Sequence, residues 1–197
     1  MGDVDYLDLS LSDYLDEVAA ATAAPGAGAV SATTVALAAG LAAMAAGLSG
    51  RQLPDAEEVA SRMKALQEQA KPLAQRDAAA YGAVLAAQSS GVPGPERSAA
   101  VGQALSRAAD VPLEIAVLGA AVLDVATDVV RRGNPNLRGD AFTACLLAQA
   151  GVRAATALVE LNLPDDSDPR RVRAAALVDA ARDAVLPPVA PSGVGPT

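Results

Sequence analysis

The feature that most constrains this chain is a run without any charged residue, from residue 18 to residue 50. The segment 30–48 within this run is long enough to form a helix that spans a membrane. They are mostly Ala and Gly, which are much less lipophilic than Leu or Ile, and they include Ser31, Thr33 and Thr34. We therefore predict the central helix of a soluble bundle, surrounded by its neighbours, and no membrane span.

The amino-acid composition favours helices along the whole chain. Hydrophobic residues make up 52% and aromatic residues 2%, and Ala dominates the apolar fraction. Ala has the highest helix propensity, whereas strands prefer β-branched and aromatic residues. We predict an all-α fold, an orthogonal or antiparallel bundle of about six helices. Residues 1–186 are predicted to form one domain, followed by a disordered Pro/Gly-rich tail at 187–197.

The spacing of apolar residues and the positions of Pro and Gly predict where these helices begin and end. The third is expected to kink at Pro72, and the fourth is interrupted at Pro112. The six segments are residues 9–21, 30–49, 54–88, 96–132, 140–161 and 169–186.

Charge and residue counts exclude several classes of function. A net charge of −8 makes nucleic acid and anionic membrane surfaces poor partners. The chain has one cysteine, Cys145, and no histidine, which excludes internal disulfides and triads with an imidazole base and disfavours a zinc site. We expect no metal, and acid–base chemistry by carboxylates, Lys, Tyr or water. The acidic N-terminal residues lack the basic region of a signal peptide, so we expect a cytoplasmic protein.

The first candidate binding segment is the loop with Pro25, Gly26 and Gly28, just before the uncharged helix. Glycine permits close approach of the backbone to a ligand, and free N–H groups at a helix start favour an anionic or electron-rich group. The alternative is an ordinary flexible turn, which the spacing alone favours.

The second candidate segment holds Asn134, Asn136 and Asp140 between two predicted helices. Amide side chains both donate and accept hydrogen bonds, which suits recognition of the edge of a heterocycle. The alternative is a capped turn in which Asp140 is the N-cap of the following helix.

The third candidate is a pair of carboxylates close to apolar stripes, Asp77 and Glu114. Partial burial raises the pKa of a carboxyl group, which then acts as an acid or base near neutral pH. The alternative is a polar residue bonded to a neighbouring helix terminus, and the sequence favours neither. Tyr81 is expected in the core or at an interface, and Cys145 in the core.

Taken in order, six short motifs resemble the cyclodeaminase/cyclohydrolase family, the C-terminal domain of formiminotransferase-cyclodeaminase. Residues 25–30 resemble the family's Pro-Gly-Gly-Gly-Ser-Val loop, and residues 76–81 resemble its Asp-Ala-x-Ala-Phe segment. Residues 111–114 match Val-Pro-Leu-Glu, and residues 133–141 resemble Gly-Asn-x-Asn-x-x-Ser-Asp-Ala. Residues 11–16 and 161–163 are similar to the opening helix and to the terminal Ile-Asn-Leu.

The resemblance implies a cyclodeaminase-like helical bundle that dimerises and binds a tetrahydrofolate derivative as its substrate, without a metal. Family members open a methenyl bridge with water, or close a formimino group with loss of ammonia. Asp140 is then the leading acid–base or pterin-binding residue, with Glu114 as a second carboxylate. The other implied groups are Asn134, Asn136 and Asn162 for positioning, Gly26 and Gly28 for a backbone cradle, and Arg51 for the folate glutamate tail.

Several polar positions of the family pattern are altered: Ala27 and Ala29 in the loop, Gly139 before Asp140, and Leu158 in place of an Asn. Lost hydroxyl and amide groups remove hydrogen bonds that discriminate strongly among ligands. Three readings stay open: a folate cyclohydrolase or cyclodeaminase, a diverged enzyme acting on another small heterocycle or imine, and a non-catalytic helical dimerisation module. The folate reading requires the Gly26 loop and Asp140 to line a common cavity.

Overall fold

The computed structural model describes residues 5–91 and 94–184, and these residues form eight α-helices and no strand. Short 3-10 helices lie at Tyr6–Asp8 and Pro135–Leu137. The predicted all-α bundle is confirmed, whereas the predicted tail at 187–197 lies outside the described residues. The helices are α1 (Leu11–Ala19), α2 (Ala27–Gly47), α3 (Ala56–Ala70), α4 (Leu73–Ser89), α5 (Pro95–Ala108), α6 (Asp110–Arg132), α7 (Arg138–Asn162) and α8 (Pro169–Asp183).

Two of the six predicted segments are each divided into two helices. At Pro72 the expected kink is a full break between α3 and α4, because proline lacks the N–H that would continue the helix. The fourth segment breaks at Ala109, before Pro112, which lies in the first turn of α6. Proline is tolerated there because the first N–H groups of a helix have no partner within it.

The core is built around α2, which packs against α7, α3, α6 and α4. Val35 of α2 is fully buried between glycines of two neighbouring helices. A Cβ atom on Gly151 of α7 would lie 2.5 Å from the Val35 Cγ2 atom, and one on Gly119 of α6 would lie 3.3 Å from it. Small side chains therefore set the separation of these helices, as expected for the central helix of a bundle.

Two stretches, Ala27–Gly47 and Pro135–Asn162, are long and apolar enough to cross a membrane by length and composition alone. In the fold, 61% and 44% of their most apolar windows are buried. Burial of this kind is also found in core helices of soluble proteins. The absence of a membrane span stays a prediction.

We predict that Gly151→Ala lowers the free energy of unfolding by about 1–3 kcal/mol, because the new methyl group overpacks against Val35. The matched control is Gly82→Ala in α4, where a Cβ atom meets nothing within 4 Å. That change should raise stability by about 0.5–1 kcal/mol, through reduced backbone entropy in the unfolded chain. Urea unfolding followed by circular dichroism measures both. Equal effects of the two substitutions would contradict the close approach of α2 and α7.

Candidate functional site

A cavity of about 410 Å³ lies at the N-terminal end of α2. Four parts of the chain meet there: the loop before α2, helix α4, the junction of α5 and α6, and the C-terminal end of α7. Its volume is in the range of small-molecule binding sites. The lining residues are Ala23, Ala24, Gly26, Ala27, Gly28, Asp77, Ala78, Tyr81, Ala108, Pro112, Leu158, Leu161 and Asn162.

Asp77 of α4 is the one carboxylate among these lining residues. Its carboxylate accepts a hydrogen bond from the N–H of Ala29, in the first turn of α2. Burial raises the pKa of Asp77 to about 6, although this hydrogen bond lowers it in part. The sequence left two interpretations of Asp77 open, a partly buried carboxylate and a polar residue bonded to a helix terminus. In the structure Asp77 is both. Such a group exchanges protons near neutral pH.

Gly28 permits this approach of the carboxylate to α2. A Cβ atom on residue 28 would overlap the Asp77 carboxyl group, whereas one on Gly26 would meet only the Ala23 carbonyl oxygen, at 3.7 Å. Gly26 is the N-cap of α2 and offers no capping side chain, so Asp77 supplies an acceptor from another helix. Pro25 precedes it, buried, after a cis peptide bond. The predicted glycine loop thus lies beside a carboxylate that the sequence singled out separately.

Asn162, the last residue of α7, adds an amide to the lining of the cavity. Its Nδ2 atom donates a hydrogen bond to the Ala108 carbonyl oxygen, at 3.4 Å, which ties the end of α7 to the end of α5. An amide has one further N–H and an acceptor oxygen for a ligand. Asn162 was predicted as a binding residue, and it lies in the same cavity as Gly26, Gly28 and Asp77.

Tyr81 lies one helical turn after Asp77, is exposed, and lines the cavity. Its sequence context predicted a position in the core or at an interface. The available signal was its spacing of four residues from Asp77, which places both side chains on one face of α4. Leu158 and Leu161 of α7 also line the cavity and were not proposed as binding residues.

Glu114 lies outside the lining of the cavity. It forms an ion pair with Arg76, with N–O distances of 2.8 and 3.1 Å, and both side chains are about half exposed. Such a pair is worth little in stability, because water screens it. Its role as a second catalytic carboxylate stays a prediction.

The other predicted site residues lie at the opposite end of α2. The Asn134 N–H donates to the Ser49 Oγ atom at 2.9 Å, and Asn134 Nδ2 donates to the Leu48 carbonyl oxygen at 3.3 Å. These bonds fix the turn against the C-terminal end of α2, where Arg51 follows in the chain. Asn134 Oδ1 also accepts from the Asn136 N–H at 3.0 Å, so the turn is capped by its own amide.

Asp140 belongs to this distant group, since it lies in the first turn of α7, whose last residue, Asn162, lines the cavity. It is not the N-cap, because α7 begins at Arg138. With 21 residues, α2 is about 30 Å long. The expectation that the Gly26 loop and Asp140 line a common cavity is therefore not met within one chain.

In the described part of the chain, no group of three or more His, Cys, Asp or Glu side chains is placed to hold a metal ion. Cys145, expected in the core, is fully buried. Burial raises the pKa of its thiol. The cavity at the start of α2 brings the polar side chains of Asp77, Tyr81 and Asn162 to one space.

Comparison with known proteins gives consistent matches. A family model described as formiminotransferase-cyclodeaminase matches residues 10–182. The methenyltetrahydrofolate cyclohydrolase of Methylorubrum extorquens is 30% identical over 165 residues, with 78% of this chain and 78% of that protein covered. The formimidoyltransferase-cyclodeaminase of Rattus norvegicus is 31% identical over 172 residues, with 82% of this chain covered. The chain spans 32% of the length of that rat protein.

A solved structure has the same fold. The formiminotetrahydrofolate cyclodeaminase of Thermotoga maritima superposes with a TM-score of 0.77 and 25% sequence identity. The superposition covers 90% of each chain. The agreement therefore extends over nearly the whole bundle.

The raised pKa of Asp77 predicts that wild type loses stability relative to Asp77→Asn as pH rises from about 4 to about 7. In the unfolded chain this carboxyl group ionises near its ordinary pKa of 3.8, whereas in the folded protein it keeps its proton up to about pH 6. The expected change in the difference between their free energies of unfolding is about 2–3 kcal/mol. Urea unfolding at several pH values measures it.

The control for this experiment is Gly82→Ala, which adds no titratable group and should differ from wild type by a constant amount. A difference between wild type and Asp77→Asn that does not change with pH would mean that water solvates the Asp77 carboxylate fully.

Proposed function

The chain belongs to the formiminotransferase-cyclodeaminase family, as its motifs predicted, and we propose that it is a folate-dependent one-carbon enzyme of the cyclohydrolase or cyclodeaminase type. Its substrate is a tetrahydrofolate derivative carrying a methenyl or formimino group. The observation that carries the proposal is Asp77, a partly buried carboxylate in the cavity at the start of α2. No metal is proposed.

Both reactions pass through a tetrahedral centre at an amidine-like carbon. In the hydrolysis, a water oxygen bonds to this carbon, one carbon–nitrogen bond breaks, and a formyl group remains. In the cyclisation, N10, the nitrogen outside the pterin ring, attacks the formimino carbon, and ammonia leaves. The ionised Asp77 takes the proton from the attacking water or nitrogen, and its protonated form donates to the leaving nitrogen. A pKa of about 6 suits both roles near neutral pH.

The groups around the Asp77 carboxylate bind the substrate. Gly26 and Gly28 let the backbone at the start of α2 approach the ligand closely. The Asn162 amide supplies donor and acceptor atoms for a heterocycle, and the Tyr81 ring offers a flat apolar surface against which a planar ring stacks. These groups orient the substrate, and orientation alone supplies a large part of the rate.

The lining of the cavity also supports a second candidate function, a diverged enzyme acting on another small heterocycle or imine. Leu158 and Leu161 line the cavity, and the polar side chains of its lining are Asp77, Tyr81 and Asn162. A pterin edge carries several donors and acceptors, and a site that leaves them unpaired binds it poorly. A diverged enzyme acting on a smaller heterocycle or imine needs fewer such partners.

We further propose a cytoplasmic enzyme that acts as a homodimer on a small-molecule substrate, without nucleic-acid or membrane partners. The net charge of −8 supports the absence of polyanionic partners.

Replacing Asp77 by Asn is expected to lower kcat about 10²–10⁴-fold, because the amide neither accepts nor donates the transferred proton. In wild type, kcat/KM should rise with pH through about 6 as Asp77 ionises, and Asp77→Asn should lack this rise. The assays follow loss of methenyltetrahydrofolate absorbance and, separately, release of ammonia from the formimino substrate.

The matched control for activity is Asp124→Asn, the same chemical change on an exposed residue of α6 outside the cavity. It should retain wild-type rates. If purified wild type accelerates neither reaction over buffer, the folate proposal is wrong. A small heterocycle or imine that raises the Tm of the protein would then favour the second candidate function.

A further inference from the structure

The first turn of α8 contacts two of the four parts of the chain that form the cavity. Its residues Arg170 and Arg171 are adjacent, and neither lines the cavity. Their side chains extend to different neighbours, since Arg170 contacts the junction of α5 and α6 and Arg171 contacts the C-terminal end of α7. The two guanidinium groups thus hold two walls of one site to a single helix.

Arg170 fixes the junction of α5 and α6 through three hydrogen bonds. Its Nη1 atom donates to the Ser106 carbonyl oxygen at 2.6 Å and to the Asp110 carboxylate at 2.9 Å, and its Nη2 atom donates to the Ser106 Oγ atom at 2.8 Å. Asp168, the N-cap of α8, accepts from Nε at 3.1 Å and from Nη2 at 2.8 Å, which orients the guanidinium group. Ser106 and Asp110 lie two residues to either side of Ala108, which lines the cavity.

Arg171 fixes the end of α7 in a similar way. Its Nη1 atom donates to the Leu163 carbonyl oxygen at 2.7 Å and to the Glu160 carbonyl oxygen at 3.2 Å. The last carbonyl groups of a helix have no partner within it, so a cationic donor is stabilising there. Leu161 and Asn162 lie between these two carbonyl groups in the chain, and both line the cavity.

The two walls are joined to each other by a long hydrogen bond and a small apolar cluster. The Asn162 Nδ2 atom donates to the Ala108 carbonyl oxygen at 3.4 Å, which is longer than the usual range for such a bond. A change at this corner can therefore alter the site while the main core stays folded. The buried residues of the apolar cluster, which is separate from the main core, are Ala109, Leu113, Val159, Leu163 and Ala174.

We propose that Arg170 and Arg171 are positioning residues of the candidate site. By holding the α5–α6 junction and the end of α7 to one helix, they place the Asn162 amide where it binds the ring of the substrate while Asp77 acts on the one-carbon group. Each arginine acts through the wall that it holds, since neither lines the cavity. This inference rests on the proposed function for the reaction that reports it.

The first test is independent of activity and follows backbone hydrogen exchange by mass spectrometry. Arg171→Met keeps an unbranched side chain and removes the donors to the end of α7. The amides of residues 158–163 should then exchange about 10-fold faster than in wild type, because charge-assisted hydrogen bonds are lost. Arg173→Met, the same change on an exposed residue of α8, should leave exchange there unchanged. Wild-type exchange at 158–163 in Arg171→Met would overturn the proposal.

The second test measures kcat and KM separately in the folate assays. In Arg171→Met, KM should rise about 3–10-fold with kcat nearly unchanged, because the Asn162 amide binds the ring equally in substrate and transition state. Arg170→Met should give the same pattern through Ala108. Arg171→Lys should recover part of the loss, since an ammonium group still reaches the Leu163 carbonyl oxygen, whereas Arg170→Lys should not, since its acceptors require a planar fork.

A wild-type KM in Arg171→Met, despite faster exchange at the end of α7, would leave the arginine a purely structural role and overturn the proposal. Circular dichroism and Tm confirm that each variant is folded. If Arg171→Met does not fold, the comparison passes to Arg171→Lys, whose KM should lie between the wild-type value and that of Asn162→Ala. A KM equal to that of wild type would then count against the positioning role.

A double-mutant cycle decides whether Arg171 acts through Asn162. If it does, Arg171→Met should change KM by less than about twofold in an Asn162→Ala background, because the group that it places is gone. Effects that multiply would show that the two residues act independently and would overturn the proposal. If wild type is inactive in both folate assays, the proposed function is wrong, and the exchange measurement still decides whether the arginines hold the cavity walls.

Discussion

The carboxylate of Asp77 lies against the first turn of α2, in the space that a side chain on residue 28 would occupy. This contact joins α4 to the helix around which the bundle is packed. It also places an ionisable group where the loop before α2, the start of α6 and the end of α7 converge. The geometry of the candidate site therefore follows from the same close packing of small residues that holds α2 against α6 and α7.

Two opposing effects act on this carboxylate. Burial disfavours its charge and raises its pKa, whereas the Ala29 N–H at the start of α2 favours the charge. The balance leaves the pKa near 6, so the folded protein is less stable at neutral pH than it would be with a neutral side chain. A group that only capped a helix would be better solvated. The destabilised carboxylate is what acid–base chemistry at an amidine carbon requires.

Most of the fold and part of the candidate site could be predicted from the sequence. The Ala-rich uncharged run predicted the central helix, and prolines marked the breaks, although Pro112 stands inside a helix because its first turn needs no N–H partner. Gly28 and Asp77 were singled out separately. Their contact could not be predicted, since spacing along the chain does not determine distance between helices. Asp140 was placed with Gly26 for the same reason, and α2 separates them.

The length of α2 gives this separation a physical consequence. Polar groups collect at both of its ends, while the helix between them is uncharged. On the buried side of α2, a charged residue would destabilise the fold because burial removes its hydration. On the exposed side that argument fails, since water is available there. Apolar side chains nevertheless take the place of charges there, since Val30, Leu37, Met44 and Leu48 are exposed along that side of the helix.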